Sequence, residues 1–170
     1  TYNKNILEQL FKDKLSNQYY IFTNRRSLNS SNKNIHFIYI SNFFSKTITR
    51  LLWMQFIFPF YLIFKRFETI FSPMNIMPIL LKFFSIKKVL VVHSNLPWLF
   101  PNDVPGNVIK LFFQRFLTNI SINIADKVIV DSKTANIELN TLFKNIDHKT
   151  SVIYLGVKKS NHNLFESKKI

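Results

Sequence analysis

Cysteine is missing altogether from this sequence of 170 residues, which excludes a disulfide scaffold, a zinc–thiolate centre and a cysteine nucleophile. Glycine occurs only twice, so a glycine-rich loop that cradles phosphate is not present in the chain. Acidic residues are also scarce. Nine Asp and Glu stand against 23 Lys and Arg, a net charge of +14 that points to an acidic neighbour. The opening Thr1-Tyr2-Asn3-Lys4-Asn5 has no Met and no signal-peptide pattern, as in a piece of a longer protein. What is there fits one globular domain. Hydrophobic residues make up 47%, too many for a disordered tail, and the mean hydropathy of +0.05 is too polar for a polytopic membrane protein.

Hydrophobic spacing divides the chain into short strands and helices. Ile6, Leu7, Leu10, Phe11 and Leu15 predict a helix over 3–15. Strands are expected at 19–23 and 35–40, the second buried on both faces, with a basic Ser/Asn loop between them. Further strands follow at 68–71, 87–93, 127–130 and 151–155, and helices at 76–84, 107–124 and 133–143. The segment 94–106, with three prolines and a glycine, reads as an ordered loop. In the 107–124 helix, Ile109, Phe112, Phe113, Phe116, Leu117, Ile120 and Ile124 give the stripe of a helix lying on a sheet. The alternation predicts an open, mostly parallel α/β sheet with helices on both faces and ligands at the carboxyl ends of its strands. Residues 158–170 lack a core pattern and read as a linker or ragged tail.

Between 47 and 67 the chain is least ordinary. From Leu51 to Phe64 only Gln55 and Pro59 interrupt the apolar side chains, a run that is short for a bilayer span, so a buried or interfacial helix is expected, with Pro59 kinking it or starting a new turn. Basic residues bracket it. Arg50, Lys65 and Arg66 are the candidates to face an anionic membrane surface, in a half of the chain (1–93) that holds thirteen Lys and Arg against three Asp and Glu.

Val91-Val92-His93-Ser94 with Pro97, then Ala125-Asp126-Lys127-Val128-Ile129-Val130-Asp131-Ser132, then Lys149-Thr150-Ser151-Val152-Ile153-Tyr154-Leu155-Gly156-Val157 follow one another in an order that resembles the N-terminal, acceptor-side domain of bacterial glycosyltransferases of families 1 and 4. Leu52-Trp53-Met54-Gln55 with Pro59, and Phe71-Ser72-Pro73, are weaker echoes upstream. The resemblance covers positions 1 to 157. It implies the N-terminal lobe of the GT-B fold of two facing Rossmann-like lobes, with the family's first strand ahead of Thr1 and a gap in the sheet where that strand would lie. It further implies transfer of a hexose from a nucleotide sugar to a cell-surface glycan or lipid-linked acceptor, in the cytoplasm or on the inner face of the cell membrane. The donor would be held by a second lobe beyond Val157. The family's paired glutamates eight positions apart have no counterpart in Glu8, Glu68, Glu138 and Glu166, so the chain alone is expected to be inactive and to hold no cofactor.

His93 is the candidate catalytic residue, because an imidazole at a strand's carboxyl end can bond a sugar hydroxyl or move its proton; the same position also suits a histidine satisfied by a carbonyl. Ser94, Asn95 and Trp98 are candidate cleft residues in the loop that follows, although a loop Trp also serves as a packing plug. Ser132 suits either a helix cap or a phosphate site at a helix N-terminus. His36, His148 and His162 share no metal-ligand spacing, and no metal is expected. The alternatives are a non-catalytic remnant, a basic membrane-surface binding module, and a nucleic-acid reading with Tyr19, Tyr20, Phe37 and Tyr39 as stacking faces, the last disfavoured because those aromatics lie on strands expected to be buried.

Overall fold

The computed structural model describes residues 2–12, 17–104 and 106–156. Strands β1 (Tyr19–Thr23) and β2 (Ile35–Tyr39) form a two-stranded parallel sheet. Strands β3 (Thr69–Ser72), β4 (Lys87–Val92), β5 (Lys127–Val130) and β6 (Thr150–Val152) form a four-stranded parallel sheet in sequence order. The fold is α/β with an open, Rossmann-like parallel sheet. No ladder joins β1 to β3, and the two sheets meet through side chains instead. Tyr20 and Phe22 lie against Phe67, just ahead of β3, with ring centroids 4.9 and 6.3 Å apart.

Around the sheets lie α1 (Tyr2–Lys12), α2 (Thr47–Leu52), α3 (Phe58–Phe64), α4 (Leu96–Leu99), α5 (Val108–Ile124) and α6 (Lys133–Leu142). Helix α1 reaches one face of the small sheet through Phe11 on Phe37, 6.0 Å between centroids, and α3 reaches the other through Phe58 on Phe22, 4.7 Å. Residues 13–15, expected to end the first helix, lie outside the described residues, as does the tail 158–170. From β3 to β6 each strand steps in the same direction, and right-handed crossovers then place the connecting segments on one face. The core agrees. Leu90, Val92, Val128 and Val130 share that face and bury Ile122 of α5 and Leu139 of α6, with Met77, Ala125, Phe143 and Ile146. A second cluster, Leu62, Ile70, Leu81 and Ile86, lies under α3.

Residues 47–64 form one helical run with a π turn, Trp53–Ile57, between α2 and α3. Pro59 has no N–H and its ring clashes with the carbonyl four residues back; the widened turn, in which Phe58 N donates to Trp53 O, accommodates it without a break. The run ends with Arg66 in the left-handed region at φ 53°, where Arg66 N donates to Ile63 O and Phe67 N to Leu62 O. A Schellman cap usually places glycine there, and this chain uses arginine.

Three expectations need correction. The segment 94–106 is not all loop, because α4 and a 3-10 turn at Pro101–Asp103 lie within it. Strand β2 is not buried on both faces: α1 and α3 cover the small sheet only in part, and His36 and Tyr39 are exposed, as is Tyr20 of β1. The third concerns α5. Its phenylalanine stripe does not lie on the sheet, for Ile109, Phe112, Phe113 and Phe116 are exposed while Leu117, Thr118, Ser121 and Ile122 are buried. Periodicity marks a stripe but carries no information about which layer the stripe meets.

Candidate functional site

The loops leaving β3, β4 and β5 converge at the carboxyl end of the sheet, where open α/β folds place ligands. His93 follows directly on β4. Its Nε2 lies 3.1 Å from the Pro73 carbonyl oxygen, which fixes Nε2 as the ring's donor and directs Nδ1 toward Asp131, 3.9 Å from Oδ2. The His93 side chain is 31% exposed and so is not sealed beneath α5. The ring is anchored by a carbonyl and is also partly exposed. A proton taken up at Nδ1 leaves an imidazolium facing the Asp131 carboxylate, an arrangement suited to accepting a proton from a bound hydroxyl.

Asn75, in the loop after β3, supports this geometry and carried no signal in the sequence. Its Oδ1 accepts from His93 N at 3.0 Å and its Nδ2 donates to Ser94 O at 3.3 Å, so one amide ties the β3 loop to the β4 loop. Asp131 was visible only as a neighbour of Ser132. Ser94 Oγ accepts from Leu96 N at 3.1 Å and opens α4. Asn95 is buried; its Nδ2 donates to Ala135 O and to Glu138 Oε2, both at 3.1 Å, tying the loop to α6, and its Oδ1 has no hydrogen-bond partner among the described residues. Trp98 packs edge-on against Phe143, 5.3 Å between centroids, at the margin of the core. Ser132 caps α6, its Oγ accepting from Ala135 N at 3.0 Å. The structure therefore gathers His93, Ser94 and Ser132 at the open end, with Asn95 and Trp98 behind them as braces.

The opposite end of the sheet is a lock rather than a site. Asp126 Oδ2 accepts from Lys88 N at 2.7 Å, and the Lys88 ammonium, buried, donates to Ile86 O at 2.6 Å while lying 3.4 Å from the same carboxylate. Lys149 closes the end of α5: its Nζ donates to the carbonyls of Ile122, Asn123 and Ala125 at 2.8, 3.0 and 3.0 Å. Burial lowers the Lys149 pKa below the ordinary lysine value, and Asp126 opposes part of that fall.

Two hollows lie away from His93. One is lined by Phe11, Asn29, Ser30 and Ser31, the other by residues at the amino ends of β3 to β5, among them Lys88 and Asp126. No group of three or more His, Asp or Glu comes together among the described residues. Arg50, Lys65 and Arg66 are exposed along the 47–66 run. Compared with protein-family models, with curated proteins and with solved structures, the chain finds no match, and the site is read from its own geometry.

Proposed function

We propose that the chain is the acceptor-side lobe of a nucleotide-sugar glycosyltransferase that elongates a cell-surface glycan or a lipid-linked acceptor. The observation that carries this reading is His93: a partly exposed ring held at Nε2 by a backbone carbonyl, with the Asp131 carboxylate 3.9 Å from Nδ1, where β3, β4 and β5 end together. The order of motifs around it resembles that of family 1 and family 4 glycosyltransferases. In this reading the acceptor hydroxyl hydrogen-bonds His93 Nδ1, and Asp131 stabilises the charge the ring gains as the hydroxyl loses its proton. In this reading the sugar nucleotide is held by a second lobe, whose basic residues would grip its diphosphate.

The test is direct. Isotope-edited NMR of the His93 ring, titrated with oligosaccharide and lipid-linked acceptors, is expected to show a saturable shift with at least one acceptor class, and Asp131→Asn is expected to weaken it. A ring that responds to none of them overturns the reading. Incubation of the chain with labelled nucleotide sugars and the same acceptors is expected to yield no product; turnover by these 170 residues would show that a complete site lies within them.

A further inference from the structure

The outer surface of the helical layer is the largest feature that an acceptor site leaves unexplained. Along the run Thr47–Phe64, which is only 17% buried, Ile48, Leu52, Phe56, Ile57, Phe60 and Phe64 are exposed at spacings of four, four, one, three and four, a single stripe the length of the helix. On α5, Val108, Ile109, Phe112, Phe113 and Phe116 form a second outward stripe, in which Phe112 stacks on Phe116 at 6.3 Å. The two helices are held as neighbours by the segment between them. Gln55 Nε2 donates to Met77 O at 3.3 Å and its Oε1 accepts from Ile79 N at 2.9 Å, while on the other side Met77 N donates to Ser121 Oγ of α5 at 2.9 Å. Phe83, 74% exposed, ends the short helical turn Ile79–Phe83 in the gap between them. Exposed apolar stripes on two helices tied to one segment are the kind of surface that marks an interaction site.

Its charge identifies the partner. Residues 47–67, 79–88 and 106–125 contain no Asp or Glu, while exposed Lys46 and Arg50 flank one end of the first stripe, Lys65 and Arg66 the other, and Lys82 adjoins Phe83. Two copies meeting through this face would bring two cationic rims together without a carboxylate between them. An anionic bilayer supplies both an apolar interior and negative headgroups.

We propose that the 47–64 run and α5 form one platform that beds into a single leaflet of an anionic bilayer, both helices lying in the plane of the interface. Lying rather than spanning follows from the other flank of the first helix, where Gln55 is bonded to the 77–79 segment and Pro59 and Leu62 are buried. The platform does not depend on the sugar-transfer reading. A bilayer bound this way would bring the lobe to membrane-embedded substrates of any chemistry.

The experiment is cosedimentation of the full chain with vesicles of phosphatidylcholine alone or mixed with phosphatidylglycerol, at low and high salt. Binding is expected to the mixed vesicles at low salt and to fall as salt rises. The pairs Phe56→Ser with Phe60→Ser, and Phe112→Ser with Phe113→Ser, are each expected to weaken it about tenfold or more with an unchanged circular dichroism spectrum, because all four rings are exposed in the folded chain. Equal binding to neutral vesicles, undiminished binding by both pairs, or a lipid-free dimer that the Phe112 and Phe113 pair dissociates would each overturn the proposal. No sugar is present in this assay, so its failure and that of the acceptor reading are distinguishable.

Discussion

Replacing Lys149 by Met keeps the stem of the side chain and deletes the ammonium that closes α5. Three carbonyls lose a charged donor: those of Ile122 and Ala125 in part-buried surroundings and that of Asn123 in an exposed one. A hydrogen bond to a charged group contributes about 1.5 to 3 kcal/mol, and Lys149 is only half-buried, so water can replace part of it; about 1 to 2 kcal/mol is expected from the bonds. Removing a cation from a helix C-terminus adds about 0.3 to 1 kcal/mol. The sum, roughly 1 to 3 kcal/mol, is an upper bound because desolvating the ammonium offsets part of it, and it corresponds to a fall in Tm of at most roughly 12 °C for a chain of this size. Urea unfolding followed by circular dichroism measures it. The pH dependence gives a second, independent check. Because burial lowers the folded-state pKa below the unfolded one, this ionisation's contribution is fully present above the ordinary lysine value and is lost as pH falls through the lowered folded value. The stability gap between the natural chain and Lys149→Met is therefore expected to widen as pH rises through the alkaline range. A variant within about 0.5 kcal/mol of the natural chain at neutral pH, the ordinary scatter of surface substitutions, would refute the capping role. A gap that narrows with rising pH would refute the assigned direction of the shift.

Arg66→Gly is expected to stabilise the chain by about 0.5 to 1 kcal/mol in urea unfolding, since Arg66 occupies a left-handed conformation that glycine adopts freely, while weakening binding to anionic vesicles by removing a rim charge. Destabilisation would show that the Arg66 side chain makes a contact outweighing its backbone strain. Thr118 on α5 is fully buried, with its hydroxyl unpartnered among the described residues; Thr118→Val keeps the shape and is expected to raise stability by about 1 kcal/mol, and an unchanged or lowered Tm would indicate that the hydroxyl is satisfied.

The carboxyl-end site was half legible. His93 stands out because a run of Val and Leu ends on it, and Ser132 because a strand gives way there to a helix, so both could be placed from order alone. Asn75 could not. Its amide joins residues eighteen and nineteen positions away, and an Asn two residues after Ser-Pro looks like any turn residue until the two strands lie side by side. Asn95 and Trp98 share His93's loop, but burial turned both toward α6 and its flank, where they brace the site.

Local pattern determined the elements of this protein: β-branched runs such as Lys87–Val92 and Lys127–Val130 form strands wherever they are buried, and the alternation of strand with helix commits them to a parallel sheet. The direction each helix faces was decided by tertiary structure alone. The α5 sequence carries a phenylalanine stripe at the spacing of a core-facing helix, yet the sheet takes Leu117, Thr118, Ser121 and Ile122 and leaves the phenyl rings outside. A helix can bury either of two flanks, and the choice belongs to what its neighbours offer: Met77 N donates to the Ser121 hydroxyl, and Ile122 joins Leu90 and Val128 in the core.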